Sequence, residues 1–436
     1  MITTKYVRDH IDEIKASLRK RNSDYPIDEL LELDKSWRAA QTELQALQAK
    51  RNKAGLEINE VKKEGGNIDE KVAALADVKK SIESLEKKLP EYESRIEVLL
   101  YKLPNIMLPE VPEGKSEEQN PEIRKVGKIR NESSKGHEEL LAGLGLLDIE
   151  RAAKVAGARF YYLRGDIVLL EQSLERFALD EMVKNGYMPI EPPFLMKNRY
   201  YKGTVPFGTF EEMLYLATSP REAEARADYE KMDENLFLIA TAEHPLTAMH
   251  AEEVFSGKEL PLKYVGISPC FRREAGSHGK DTKGIFRVHQ FNKVEQVIFC
   301  KPEDSPKYHE ELLRNIEGML AKLELPYRVI EICAGDMSAK DARSFDVEVY
   351  LPSQKKYREL MSCSNCTDWQ STRLDIKYDE GNERRFVHTL NATAISMERM
   401  IVAIVENYSN PDGTITVPKA LVPYMGKEVI GGNRSK

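Results

Sequence analysis

Two stretches within the first hundred residues repeat apolar side chains every seven positions, and no other feature narrows the possible folds of this 436-residue chain as much. Leu30, Trp37, Leu44 and Ile58 form one series, interrupted by Arg51; Leu33, Ala40, Leu47, Ala54 and Val61 form its companion. Ile68, Leu75, Ile82, Leu89 and Ile96, with Val78, Leu85, Tyr92 and Leu99, repeat the pattern. Apolar residues at these two heptad positions, with charge between them, specify helices that zip along one narrow seam. The polar run from Lys62 to Asn67 carries two adjacent glycines, which stop one helix and reverse the chain. The pattern predicts an antiparallel hairpin over residues 28–101, its first helix reaching roughly 48 Å at about 1.5 Å per residue. Pro90, inside the second helix, is expected to bend it, because it lacks the N–H that would bond the preceding turn.

A hairpin of that reach cannot bury much of itself. Heptads more commonly serve as structural or dimerising coiled coils, and an arm that reaches a large ligand is the other use. Lys50, Arg51, Lys53, Lys62, Lys63, Lys71, Lys79, Lys80, Lys87 and Lys88 could face phosphates, but acids alternate with them, so alone they read as a solvated face. A net charge of −7 excludes a generally basic nucleic-acid coat while leaving room for a local patch. No apolar run approaches the ~20 residues that span a bilayer, so no membrane partner is expected. The N-terminus has no apolar core and carries acids, which supports neither a secretory signal nor a transit peptide. Five cysteines in this length do not make a disulfide framework, and a cytoplasmic location is expected.

Beyond the hairpin, Pro104, Pro109, Pro112 and Pro121 punctuate a polar stretch that reads as a linker. The organisation expected is an arm over 1–105, a linker over 106–127 and a main domain over 128–436. In that domain Ala152–Val183, Tyr308–Leu323 and Met397–Tyr408 have helical patterns. Leu236–Ala240, Lys263–Ser268, Val288–Phe299, Tyr327–Ile332, Phe345–Leu351 and Tyr357–Ser362 read as strands. Little βαβ alternation predicts an α+β class, an antiparallel sheet with flanking helices. Neither a G-x-x-x-x-G-K-[ST] loop nor a G-x-G-x-x-G after a strand is present, so any nucleotide is held in another way.

The stretch Ser268–Cys300 carries the densest chemistry. A strand ending in Phe271-Arg272-Arg273-Glu274 leads into a Gly-rich charged loop, and a second strand is expected to begin near Phe286, with Arg287 at its start. Arginine presents a planar fork suited to phosphate oxygens. Phe291 offers a ring on which a base could stack, and Glu295, four residues on, shares its face of the strand. An exposed hairpin with surface charges explains the Gly and Lys residues, but the ordered Arg, Glu, Arg, Phe and Glu less well.

This block resembles motif 2 of the class II aminoacyl-tRNA synthetases, in the form found in seryl-tRNA synthetases. Gly186–Leu195 resembles motif 1, and Leu390–Ala394 with Met397-Glu398-Arg399 resembles motif 3. Thr241-Ala242-Glu243 is similar to the family's serine-binding loop, and Tyr357–Asn365 to the strand with its magnesium ligands. Val417–Gly426 is similar to the family's C-terminal end, so the likeness covers nearly the whole chain, hairpin included. The resemblance implies that serine is activated with ATP to seryl-adenylate and passed to tRNA(Ser), and to tRNA(Sec) where present. It implies that Arg272 holds the α-phosphate, Arg399 the γ-phosphate of a bent ATP, and Arg287 a further phosphate. It places Glu274 at the adenine amino group, Phe291 on the ring and Mg²⁺ on Glu359 and Ser362, and counts Val288 among the ATP-binding residues. Arg272, Arg399 and Glu359 are thereby the catalytic candidates. Glu295 and Thr241 would meet serine's ammonium, with Glu243 nearby, Asn391 and Thr393 would frame its hydroxyl, and Arg272 is counted among the serine-binding residues as well. The hairpin becomes the tRNA-binding arm, and Pro193 marks a homodimer interface.

Met361, Ala392 and His244 depart from the residues usual at their positions, and Lys202–Asp233 is a longer loop with a charged insert at 221–232. Cys363 and Cys366 stand as a lone pair, too few for a tetrahedral zinc site, and no zinc is expected. His289 reads as a satisfied structural histidine, since the reaction needs neither acid nor base. An amino acid:carrier-protein ligase shares the adenylation core but lacks such an arm, and a coiled-coil adaptor would not need Arg272, Glu359 and Arg399 together. Roughly 35 residues after motif 3 are too few for the anticodon-binding domain that related synthetases carry there.

Overall fold

The fold is taken from a computed structural model, which describes residues 3–431 apart from 64, 66, 68, 130–134, 207–209, 220–232 and 275–282, with Glu70 and Lys71 described in backbone only. The chain divides into two compact units. One comprises Ile2–Arg19 and Ser23–Leu103; the other comprises Lys20–Asn22 and Pro104–Lys436, with Met1 assigned to it.

In the first unit, short helices α1 (Thr4–Asp9) and α2 (Ile11–Lys20) precede the long α3 (Ile27–Lys63) and α4 (Asp69–Lys102). The two long helices meet along the expected seam. Ala40, Leu44, Val78, Ile82 and Leu89 are buried together, flanked by Trp37, Leu47, Leu85 and Tyr92. Antiparallel pairing is fixed by Tyr25 Oη donating to the Leu99 carbonyl at 2.8 Å, Trp37 Nε1 to Glu93 at 3.1 Å, and Arg95 to Glu29 at 2.8 Å. At the base, buried Asp34 accepts from Arg8 at 2.6 Å and Arg38 at 2.9 Å. Burial opposes its charge, yet bonds from Thr4, Arg8 and Arg38 hold the carboxyl below its ordinary range. Toward the tip the seam thins: between Leu44 and Val78 no described residue is buried, and Leu56 is 68% exposed. α4 runs unbroken through Pro90, which lies on the exposed face. The lysines named above that have described side chains are exposed, and Arg51 is half-buried.

The second unit is built on an eight-stranded sheet. Its strands are β1 (Glu122–Val126), β2 (Met188–Ile190), β3 (Leu262–Phe271), β4 (Gln290–Cys300), β5 (Tyr327–Glu331), β6 (Arg343–Leu351), β7 (Lys356–Asn365) and β8 (His388–Ser396). They lie in the order β1-β5-β6-β7-β8-β4-β3-β2. Every pairing is antiparallel except β2 with β3, which is parallel. Helices α5 (Asp166–Lys184), α7 (Ser305–Lys322) and α8 (Met397–Asn407) pack their apolar residues into one core with the sheet. The short α6 (Glu243–Ala248) lies against β3. Gly266 permits that approach, because a Cβ there would stand 2.8 Å from Ala242 Cβ and 2.6 Å from Leu246 Cδ1. The α+β expectation therefore holds.

Three details differ from the sequence-based expectations. Ala152–Val183 is not one helix: a helix over Ile149–Ala156 stops at Gly157 (φ +99°), and α5 starts after Gly165 (φ +56°). The stretch expected as a linker carries β1, an edge strand of the main sheet. Strand β4 begins at Gln290 rather than near Phe286, because the chain turns at Gly284 (φ +72°) and the Ile285 N–H bonds a histidine instead of β3. The charged insert at 221–232 lies outside the described residues.

Arg21, in the short segment belonging to this unit, is buried and spends its guanidinium on backbone carbonyls. It donates to Asn105 (3.1 and 3.2 Å), Met337 (3.2 Å), Ser338 (3.0 Å) and Asp341. Burial pulls it down to about 10, despite the neighbouring Asp341. These bonds order the loop between β5 and β6.

Candidate active site

Two adjoining cavities of about 210 and 420 Å³ open on the sheet face formed by β3, β4, β7 and β8. Every residue assigned from the resemblance to ATP or serine lines one or both. Glu274, Arg287, Val288, Phe291, Thr393 and Arg399 line the smaller; Thr241, Glu243, Glu295 and Asn391 line the larger. Arg272, Glu359 and Ser362 line both.

Arg272 sits just past the end of β3, where its N–H still bonds the His289 carbonyl at 2.9 Å. Its Nε donates to the Ala240 carbonyl at 3.3 Å, and its guanidinium lies 5.1 Å from the Phe291 ring centre. The fork is thus held over an aromatic ring, within cation–π range. His289 Nδ1 is shared between the Arg272 carbonyl (2.8 Å) and Tyr215 Oη (3.0 Å), a structural role. Glu274 and Arg287 pair with each other at 2.7 Å across the smaller cavity. Each would have to turn from the other to meet adenine or phosphate.

Glu359 and Ser362 are three apart on one strand, which strict alternation would put on opposite faces. A bulge resolves this. Met361 pairs with Val347 and Glu359 with Glu348, so Leu360 is the extra residue and both oxygen donors face the cavities. Met361 turns the other way into the core, which explains an apolar residue there. Arg399, at the start of α8, bonds the Glu359 carbonyl at 3.0 Å and approaches its carboxylate at 3.2 Å. Arg399, then Arg272 and Arg287, keep the Glu359 carboxyl below its ordinary range against burial. Opposite Ser362 on β6 stands half-buried Asp346, whose carboxyl desolvation and the Glu359 charge push well up.

The larger cavity is a nest of buried charge. Glu295 lies 2.6 Å from Lys293 and accepts from Thr393 Oγ1 at 3.3 Å. Burial raises its carboxyl despite Lys293. Glu243 accepts from Gln370 at 2.9 Å and lies 3.2 Å from Lys340. Burial alone would raise it, but Lys340, with smaller help from His244 and Lys293, brings it down to about 2. His244 is buried against the Tyr201 and Phe210 rings, and burial lowers it to about 3, so it is neutral. Asn391 is buried, and among the described residues its Nδ2 donor meets no partner. Such a donor in a cavity wall favours an occupant that can accept. Cys363 packs in the core, and Cys366 Sγ points at Asp341 at 3.4 Å.

Sequence reasoning missed Lys293, Lys340, Asp346 and Glu398, each of which lines one or both cavities. Lys293 alternates with Phe291 and Glu295, a signal that was available. Lys340 lies in the β5–β6 loop, where no period points to it.

Two family models match: the seryl-tRNA synthetase N-terminal domain over residues 1–107, and the class II tRNA synthetase core domain (G, H, P, S and T) over residues 226–408. A serine–tRNA ligase of Thermococcus sibiricus is 44% identical, the match covering 99% of this chain and 98% of that protein. The crystal structure of seryl-tRNA synthetase from Pyrococcus horikoshii complexed with ATP superposes with a TM-score of 0.88 at 42% identity, covering 99% of each chain. A cytoplasmic serine–tRNA ligase from Naegleria fowleri in complex with AMP gives a TM-score of 0.82 at 35% identity, covering 96% of this chain and 95% of that one.

Proposed function

The chain belongs to the seryl-tRNA synthetase family, and we propose that it activates L-serine with ATP and transfers it to tRNA(Ser), with tRNA(Sec) a second acceptor where one is present. One observation carries the reading: the two cavities meet at Arg272, Glu359 and Ser362. A nucleotide in the smaller and an amino acid in the larger would join at that boundary. The ATP and AMP complexes of the two relatives support the nucleotide assignment.

In the first step a serine carboxylate oxygen bonds the α-phosphorus and the bond to the β-phosphate oxygen breaks, giving seryl-adenylate and pyrophosphate. The attacking carboxylate is already ionised, so positioning and charge stabilisation do the work. Arg272 would hold the α-phosphate where the two cavities meet, with Phe291 under the adenine and Val288 beside it. Arg287 and Glu274 would exchange their mutual pair for phosphate and adenine, and Arg399 would take the γ-phosphate. Glu359 and Ser362 offer oxygen donors on one face, a set that fits Mg²⁺ completed by substrate phosphates. Bound there, Mg²⁺ would neutralise phosphate charge. Glu295, Thr241 and Glu243 would receive the ammonium, Asn391 and Thr393 the hydroxyl. In the second step a terminal tRNA ribose hydroxyl attacks the adenylate carbonyl and AMP leaves. A site whose polar groups expect a hydroxyl leaves them unpaired with alanine.

The N-terminal model match supports residues 1–105 as the tRNA-binding arm, which disfavours a carrier-protein acceptor. Exposed Pro193 is the place to look for a homodimer interface, and the cytoplasm is the expected location. The test is pyrophosphate exchange with each amino acid, followed by charging of total tRNA. Exchange with serine, little with alanine or threonine, and charging of tRNA(Ser) are expected. A chain inert with every amino acid would sink the adenylation reading, and serine exchange without charging would favour the carrier ligase.

A further inference from the structure

His137 opens a short helix (His137–Leu144) and is buried against segments far away in sequence. The Ile285 N–H points at its Nε2 over 3.1 Å. An N–H can only donate, so Nε2 carries the lone pair and the ring proton belongs on Nδ1. Nδ1 lies 3.2 Å from Glu406 Oε1 and 3.5 Å from Glu138 Oε2. Glu406, buried on α8, also accepts the His137 N–H at 3.2 Å and, on its other oxygen, the Ser353 N–H at 3.1 Å. Burial opposes its charge, but bonds from His137 and Ser353 hold the carboxyl below its ordinary range. The imidazole therefore relays one fixed direction, from the Ile285 amide through the ring to a buried carboxylate.

The Nε2 edge of the ring is close-fitted by the backbone as well. Gly284 passes so near that a Cβ on it would stand 1.9 Å from Nε2, at a φ of +72°. Ile285 leads into Phe286, Arg287 and Val288, all of which line the smaller cavity. That stem precedes the first residue of β4, so the sheet ladder does not hold it.

We infer that His137 is a positioning residue, which clamps the Ile285–Val288 stem of the nucleotide cavity through the Glu406–His137–Ile285 chain of hydrogen bonds. The inference rests on the reading that this cavity takes ATP. Two substitutions separate the two ring nitrogens. His137→Asn places a polar atom near Nδ1 and can still bond Glu406, but it leaves Ile285 without an acceptor. His137→Gln places a carbonyl near Nε2 and can still receive the Ile285 N–H.

The test is pyrophosphate exchange on the full chain, with an equilibrium titration of a fluorescent ATP analogue beside it. His137→Asn should raise the KM for ATP about tenfold, the size of one lost hydrogen bond to a buried amide. His137→Gln should stay within about twofold of wild type, and the KM for serine should move little in either. Gly284→Ala, whose methyl would displace the Nε2 edge from the stem, should reproduce the Asn phenotype. Equal effects of Asn and Gln, or a rise shared by serine, would overturn the clamp. Wild-type protein that binds the analogue yet fails to exchange would count against the adenylation reading and leave the clamp to be judged by the titration.

Discussion

The two units of this chain use charge in opposite ways. In the helical arm almost all of it is solvated: the described lysines of α3 and α4 are exposed, and among the described residues Asp34 at the base is the buried acid, answered by two arginines. In the catalytic unit Glu243, Glu295, Lys293 and Glu398 are buried, with Lys340 close to buried. The arm's fold comes from one apolar seam, so its surface can change with little cost to its structure. The site's charges are desolvated and mutually compensating, so removing one member leaves another uncompensated. Reach has been built from repetition, and chemistry from strain-intolerant local detail.

The largest effects should fall on opposite halves of the reaction. Arg272→Ala should cost about a thousandfold in pyrophosphate exchange, the scale of losing a principal charge stabiliser. Deleting Arg38–Leu100 should leave exchange near wild type and abolish tRNA charging. The contrast breaks if the deletion lowers exchange as far as it lowers charging, because the arm would then contribute to the first step.

What could be read in advance divides along the same line. The seam was legible because heptads are periodic, and Trp37, Leu44, Ile82 and Leu89 sit where the period places them. Core strands were legible from apolar runs. The site was legible mainly through family blocks. Alternation alone would have separated Glu359 from Ser362, since nothing in Arg358-Glu359-Leu360-Met361 announces a bulge at Leu360. Lys340 and His137 are single polar residues in loops or helix ends, brought in by topology, and a lone residue has no period. The break at Gly157 was missed because the flanking residues continue a helical pattern.

The chain's two tryptophans, Trp37 in the arm and Trp369 buried in the catalytic unit, let each unit be followed separately. In a Trp37→Phe background, Trp369 fluorescence should show a pH effect from Glu398. Burial, with the Glu171 charge nearby, pushes this carboxyl from 4.5 up to about 8, against the Tyr161 and Asn292 bonds. A carboxyl raised on folding favours the folded state most while protonated. The stability it contributes is therefore full below pH 4.5 and is lost as pH rises through about 8. The decline should be on the order of a few kcal/mol, and Glu398→Gln, neutral throughout, should flatten it. Parallel wild-type and variant curves between pH 5 and 8.5 would mean that Glu398 ionises as an ordinary carboxyl, and the catalytic unit would then resemble the arm in carrying its acids at no cost.

The smallest effects belong within the arm. In a Trp369→Phe background, Trp37 reports the α3–α4 seam, where its ring flanks the buried cluster. Leu44 is 8% exposed within that cluster, and Leu56, twelve residues on in the same helix, is 68% exposed. Leu44→Ala should destabilise the arm by about 2–4 kcal/mol through lost burial and a cavity between helices. Leu56→Ala should stay within about 0.5 kcal/mol, since the little apolar contact it loses is offset by alanine's helix propensity. Urea unfolding followed by Trp37 fluorescence checks both. Equal losses would mean that the distal seam is packed as firmly as the base. Only a loss confined to Leu44 fits a seam that is packed at Leu44 and loose at Leu56.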